Sequence, residues 1–325
     1  MTTFSLIVLA YNSGKYLDRC LTALTAFDAE IICADNGSSD GTDFDALKTK
    51  FPAVKFHLFN ANLGFAAGNN RAAETATGEW LGFINPDAFA FPDWLDAIKA
   101  AITAAPEARL FTSFQLDAAD PARMDGAGDA MTFFGFPYRM GFGQPLPAVL
   151  PPATVFSPCG AAFVIRRDLW RALDGFDERF FTYCEDADLG FRAQLLGDAC
   201  RFVPQARVAH VGSASTSVRS DFALYHGYRN RLWLYVKNMP LLLLIVTLPL
   251  HIGLTLLGAV NDTRKGRGRT AWRGLGDAIS GMGPILKSRN TIAKSRQISA
   301  LRLASRLTWN PLKIARRALD HRRLR

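Results

Sequence analysis

Across the first 115 residues, apolar runs of four to seven residues alternate with longer amphipathic stretches, and no other feature restricts the fold as tightly. The runs at 5–10, 30–34, 55–59, 80–84 and 109–114 predict strands; 14–27, 41–50, 65–77 and 93–104 predict helices. Buried strands separated by helices call for an α/β architecture, a mostly parallel sheet covered on both faces. In such sheets ligands bind beyond the carboxyl ends of the strands. The loops at 11–13, 35–41, 60–64 and 85–87 fall at those ends and concentrate polar residues and glycines.

Farther along, 117–158 reads as irregular, rich in Gly, Pro and aromatic side chains such as Phe133, Phe134, Phe136, Tyr138 and Phe142. A long segment of this kind is usually functional or mobile. A strand at 160–165, a helix over 186–196 and a short strand near Phe202 follow. No internal repeat is visible.

Residues 239–260 contain no Asp, Glu, Lys or Arg, a length that suits a membrane span. Pro249, His251 and Gly253 interrupt it, and residues 261–325 carry 17 Lys/Arg against 3 Asp/Glu. A single span would put that basic tail across the membrane from the body, against the positive-inside tendency. A bent segment in one leaflet, with the tail on anionic headgroups, satisfies both facts. A buried helical hairpin is the soluble alternative. The five cysteines show no close pairing, which argues against a disulfide framework or a structural zinc site. The N-terminal run lacks the charge and cleavage site of a secretion signal, so the expected location is cytoplasmic, peripheral or monotopic at the inner membrane face.

Four clusters carry chemistry. The run from Asp35 and Asn36 to Thr42 puts an acidic residue at a strand end, able to accept from a nucleobase or ribose; taken alone it is an ordinary capping turn. The run from Asn60 to Arg71 is neither a dinucleotide fingerprint nor a P-loop, but its glycines and helix start suit close approach of an anion. Asn85-Pro86-Asp87 ends a strand with one carboxylate, a candidate ligand for Mg²⁺ or Mn²⁺ on a diphosphate, or a proline turn. Glu185 and Asp186 at a helix start can raise each other's pKa and supply a general base. His210 is either a metal ligand or a structural histidine.

Together, Ala10-Tyr11-Asn12, Asp-Asn-Gly-Ser-Ser-Asp-Gly-Thr at 35–42, Asn-Leu-Gly-Phe-Ala-Ala-Gly-Asn-Asn at 62–70, Asn-Pro-Asp at 85–87 and Glu-Asp-Ala-Asp-Leu-Gly-Phe-Arg at 185–192 resemble glycosyltransferase family 2. Their wording is similar to its rhamnosyltransferase-like branch, over about residues 4–235. The resemblance implies a GT-A fold at 1–235, an apolar helical segment with a basic tail at 236–325, a nucleotide-sugar donor, a divalent metal (Mn²⁺ or Mg²⁺) and inversion at the anomeric carbon. It implies that Tyr11, Asn12 and Asp35 hold the nucleoside. Asn62, Gly64, Phe65, Gly68 and Asn69 would face the nucleotide-sugar, with Asn36 and Asn85 in the same donor-binding set. Asp87 occupies the last position of the family's Asp-x-Asp metal motif, Asn85 replacing its first carboxylate, with His210 as the second protein ligand. Asp186 matches the catalytic base, and Glu185 supports it.

The implied activity moves a sugar, rhamnose from dTDP-rhamnose, to a saccharide or lipid-linked saccharide in cell-surface polysaccharide assembly. The aromatic loop 130–142 is the expected acceptor contact. A membrane surface is an expected partner, nucleic acid is not, and homo-oligomerisation stays open. Transfer to a polyprenyl phosphate, or an inactive membrane-surface binding protein, are the alternatives.

Overall fold

A computed structural model describes residues 2–212 and 220–324. Strands β1 (Phe4–Ala10), β2 (Glu30–Asp35), β3 (Lys55–Leu58) and β4 (Trp80–Ile84) alternate with helices α1 (Gly14–Leu24), α2 (Phe44–Lys50) and α3 (Gly64–Ala73). Short β5 (Ala88–Ala90) and helix α4 (Trp94–Ala104) lead into β6 (Leu110–Asp117). Short strands β7 (Met124–Gly126), β8 (Asp129–Met131), β9 (Pro137–Arg139) and β10 (Ala153–Val155) organise the stretch whose composition predicted irregular chain. Then come β11 (Ala162–Arg166), α5 (Arg167–Ala172), α6 (Glu185–Leu195) and β12 (Cys200–His210).

The main sheet runs β10-β12-β6-β11-β4-β1-β2-β3. Its β4-β1-β2-β3 half is parallel throughout, as is β12 beside β6, whereas β11 lies antiparallel between β4 and β6. Both faces are covered. Leu6, Val8 and Ala10 of β1 pack into one core, while Ile7 and Leu9 pack into the core on the other face. This is the period-2 alternation of a strand buried on both sides. On α1, Leu17, Cys20, Leu21 and Leu24 form the buried stripe of an amphipathic helix.

β12 is far longer than the short strand expected near Phe202. Its register shifts between Val203 and Arg207, around Pro204, which lacks an N–H for the ladder. That irregularity hides the strand from a pattern search, yet it carries the chain on to His210.

Beyond β12, α7 (Asp221–Asn238), α8 (Leu241–Arg264), α9 (Gly268–Ser280) and α10 (Met282–Ser295) form a helical layer. The basic tail folds back on the body: Ile298, Leu303 and Leu307 join Met131, Phe156, Phe191 and Trp233 in one hydrophobic cluster.

The apolar segment is one continuous helix through Pro249, not a buried helical hairpin. Its faces are reversed relative to a soluble helix. Thr247, His251, Thr255 and Asp262 are buried with Leu243 and Ala259, while Leu241, Leu242, Ile245, Val246, Leu256 and Leu257 are exposed. The Tyr235 ring stacks on His251 with centroids 3.9 Å apart, and its hydroxyl lies 2.8 Å from Thr247 Oγ1. By length and composition the helix could cross a membrane, but its polar stripe is docked along the protein.

Candidate active site

A cleft of about 510 Å³ opens at the carboxyl ends of β1, β2 and β4. Tyr11, Asn36, Asn62, Gly64, Phe65, Asn85, Asp87, Glu185, Asp186 and His210 all line it, so residues far apart in sequence converge there.

Four of the expected residues stand behind the wall. Asp35 accepts from the Ser38 N–H at 3.1 Å, and Asn12 Oδ1 accepts from the Ser39 N–H at 2.7 Å. Asn69 Nδ2 donates to the Phe65 carbonyl at 2.9 Å. Gly68 lets α3 press on β1, since a Cβ there would sit 2.7 Å from Leu9 Cδ2. These residues shape the loops that carry the lining side chains.

The start of α3 is not the open anion cradle that the glycines suggested. Gly64 N–H donates to Asn62 Oδ1 at 2.9 Å, and Ala66 N–H donates to the Phe181 carbonyl at 3.1 Å. Gly64 has φ +83, and a Cβ there would lie 2.5 Å from the Phe181 ring, so only glycine fits. Asn36 ties this corner together, donating to Asn62 Oδ1 at 3.0 Å while its own Oδ1 accepts from the Leu63 N–H at 3.0 Å.

On the opposite wall, the chain entering α6 is unusual. Phe181, Tyr183 and Cys184 all have positive φ without being glycine, a conformation that is uncommon for such residues. It persists because α7 holds it. Asn230 is fully buried, and its Nδ2 lies 2.8 Å from the carbonyl oxygens of Phe180, Thr182 and Tyr183. Buried Asp188 on α6 accepts from Lys237 Nζ at 2.9 Å and Asn238 Nδ2 at 2.7 Å on α7, and pairs with Arg192 at 2.7 Å.

The strained turn delivers two carboxyls with different surroundings. Asp186 Oδ2 accepts from the Gly160 N–H at 2.9 Å and Oδ1 from its neighbour's, Ala187 N–H, at 2.7 Å. Burial raises its pKa, and these backbone donors and nearby Arg139 oppose the rise. Glu185 is raised well above the usual range by burial and by the charge of Asp186, and its buried Oε2 has no hydrogen-bond partner. The proton therefore stays on Glu185, and Asp186 ionises first.

Beneath the cleft, His210 Nε2 lies 3.4 Å from Asp87 Oδ1 and its Nδ1 lies 2.7 Å from Asp125 Oδ2. Burial alone would lower the His210 pKa; hydrogen bonds and charge from Asp125 and Asp87 lift it to about 9. Arg139 Nη1 in turn bonds Asp125 Oδ2 at 2.8 Å. Among the described residues no three His, Cys, Asp or Glu side chains converge as a metal cage. An Asp oxygen and an imidazole nitrogen this close, the ring steered by a second carboxylate, nonetheless fit a divalent ion that takes its remaining ligands from a diphosphate and water. Asp125 and Arg139, with Asp129 in the cleft lining, escaped notice because they sit in the Gly-rich stretch 117–158. The one signal available was a pair of aspartates flanking small residues at 125–129.

The aromatic loop is mostly packing. Phe133 stacks on Trp309 with centroids 4.5 Å apart, and Phe136 meets His251 edge-on at 5.2 Å. From it, Pro137, Tyr138 and Arg139 reach the cleft.

Residues 5–172 match the model of glycosyl transferase family 2, and 129–272 match that of glycosyl transferase family group 2. The chain is 28% identical over 250 residues to the N-acetylglucosaminyl-diphospho-decaprenol L-rhamnosyltransferase of Mycobacterium tuberculosis, covering 68% of this chain and 80% of that protein. It is similar to the structure of S. aureus TarS 1-349 in complex with UDP-GlcNAc, with TM-score 0.53, 17% identity, and 98% of this chain and 93% of that chain covered. The mannosyltransferase PcManGT from Pyrobaculum calidifontis, in complex with GDP-Man and Mn²⁺, matches with TM-score 0.52 and 18% identity over 90% of this chain and 79% of that one. The structural likenesses establish the GT-A architecture. With the family model spanning half the chain and the motif residues gathered around one cleft, this protein belongs to glycosyl transferase family 2.

Proposed function

We propose that this chain transfers rhamnose from dTDP-rhamnose, with inversion, to a hydroxyl of a saccharide or lipid-linked saccharide during cell-surface polysaccharide assembly. The observation that carries the reading is the contrast between the acidic neighbours in the cleft: both carboxylate oxygens of Asp186 accept from backbone N–H groups, whereas the buried Oε2 of Glu185 has no hydrogen-bond partner. The donor and acceptor classes rest on the mycobacterial relative, whose name gives it an L-rhamnosyltransferase acting on a lipid diphosphate-linked N-acetylglucosaminyl group.

The Asp186 carboxylate takes the proton from the acceptor hydroxyl as that oxygen bonds to the anomeric carbon. The bond from that carbon to the diphosphate breaks on the opposite face, its electron pair leaving with the diphosphate; one displacement gives one inversion. Asp87 and His210 would hold a divalent cation, which when bound neutralises charge developing on the leaving diphosphate. Asn36 and Asn62 brace the donor side of the cleft, and Tyr11 and Phe65 offer it flat surfaces.

Residues 1–235 would form the transferase domain, and 236–325 an extension seating it at the cytoplasmic face of the membrane. The reversed polarity of α8 supports this placement, because an exposed apolar face of that length suits lipid rather than water.

A thermal-shift screen of nucleotide-sugars with Mn²⁺, Mg²⁺ or EDTA tests the reading. A ligand at 100 times its Kd stabilises the fold by about 2.7 kcal/mol. A metal-dependent shift with dTDP-rhamnose is expected; a shift with another donor alone would replace the sugar, and none with any donor would overturn the function.

A further inference from the structure

Among the described residues, one cation in the cleft forms no ion pair, with Asp262 the carboxylate whose charge reaches it from α8. Arg231 on α7 lines the cleft with Cys184, Asp186 and Gly227. Its guanidinium lies 4.1 Å from the centre of the Phe136 ring and 5.2 Å from that of Tyr228. Its Nε is buried without a hydrogen-bond partner, and among the described residues no carboxylate pairs with it. Buried charges in proteins are paired or complete a ligand site. Aromatic faces alone are a weak substitute for an anion.

Position narrows the choice of anion. Both rings beneath the guanidinium touch α8: Phe136 meets His251, and the Tyr228 hydroxyl donates to Asp262 Oδ2 at 2.8 Å. Arg231 thus stands where the cleft borders the helix whose outer face is apolar. The expected donor diphosphate has its own site at Asp87 and His210, which follow β4 and end β12. A lipid-linked saccharide carries its phosphates between the apolar chain and the sugar. Entering past α8 with its sugar at Asp186, it brings those phosphates to this border. We infer that Arg231 is the anion subsite for the phosphate or diphosphate of a prenyl-linked acceptor. The inference rests on the transferase reading of the cleft and adds the acceptor's charged group to it. A guanidinium presents paired N–H donors that match phosphate oxygens.

The test measures binding of farnesyl diphosphate to the full chain, with the nucleotide site filled by dTDP. Arg231→Gln is expected to weaken it about tenfold to hundredfold, the range for loss of a charge-assisted hydrogen bond, with Arg231→Lys in between. The dTDP affinity stays at the wild-type value, which also reports that the variants fold. Farnesol should bind weakly to both proteins, and inorganic pyrophosphate should bind the wild type far more weakly than farnesyl diphosphate does. Unchanged farnesyl diphosphate binding in Arg231→Gln overturns the subsite. Loss of dTDP affinity would give the guanidinium to the donor, and inorganic pyrophosphate binding the wild type as tightly as farnesyl diphosphate would give it to a free anion; either outcome overturns the lipid assignment. A wild-type chain that binds dTDP but no farnesyl diphosphate refutes this inference alone. One that binds no nucleotide or nucleotide-sugar refutes the transferase reading and this inference with it.

Discussion

Asn230 Nδ2 lies 2.8 Å from the carbonyl oxygen of Tyr183, three residues before the proposed base, and at the same distance from those of Thr182 and Phe180. One buried amide on α7 therefore fixes a turn in which Phe181, Tyr183 and Cys184 all adopt positive φ. Without that donor, three carbonyls lose a partner and the strained residues can relax. Asn230→Ala is expected to lower kcat about 100-fold with a smaller rise in donor KM, because Phe181 of the same turn also packs on the start of α3 at the donor side. Its stability should fall by about 1–3 kcal/mol. Assays well below the Tm separate the two effects; a loss tracking only the unfolded fraction would reduce Asn230 to a structural role.

Protonation distinguishes the acidic neighbours. Glu185 is neutral in this account, so Glu185→Gln replaces a protonated carboxyl with an amide of similar shape and should cost less than tenfold in kcat at neutral pH. Asp186 acts only when ionised, and burial raises its pKa. As pH falls, kcat/KM should therefore decline through a value above the ordinary carboxylate range, with a flat region at higher pH. A pH–rate profile checks this. An acid limb near 4 or lower would contradict the buried-base assignment.

Asp125 is not among the cleft-lining residues but holds the His210 ring through Nδ1 at 2.7 Å. Partners of this kind typically account for 10–100-fold in metal affinity. Asp125→Asn should raise the Mn²⁺ concentration needed for half-maximal activity by that factor, with the donor KM at saturating metal little changed. An unaltered metal requirement would separate Asp125 from the metal site.

The outward face of α8 should behave as a lipid contact. Ile245 and Val246 are 62% and 67% exposed. Replacing both with Glu is expected to release the protein from vesicles containing anionic lipid in a flotation assay. Transfer to a short water-soluble saccharide should persist. Retained flotation would move the membrane contact to another surface.

Much of this was legible in the sequence because strand-end loops announce themselves. Each of Asp35, Asn62 and Asp87 follows an apolar run, and the parallel half of the sheet brings those loops together by topology. What sequence hides is which polar side chains face the ligand and which face the backbone. Asn12 and Asp35 are spent on the N–H groups of Ser39 and Ser38. Asp125, which reaches His210, and Arg139, which bonds Asp125, come from a segment with no helical or strand period that reads as loop. The clamp from Asn230 joins positions nearly fifty residues apart through carbonyl oxygens, which carry no side-chain signature. The outward apolar face of α8 likewise depends on where its polar stripe docks, a tertiary fact.

The most direct test of the account is transfer from dTDP-rhamnose to a prenyl diphosphate-linked N-acetylglucosamine, comparing wild type with Asp186→Asn and determining the product's anomeric configuration. The account predicts product of inverted configuration from the wild type. In Asp186→Asn it predicts a rate lower by about 10²–10⁴-fold, with nucleotide-sugar binding retained. Near-normal turnover in Asp186→Asn, or a product of retained configuration, would contradict it.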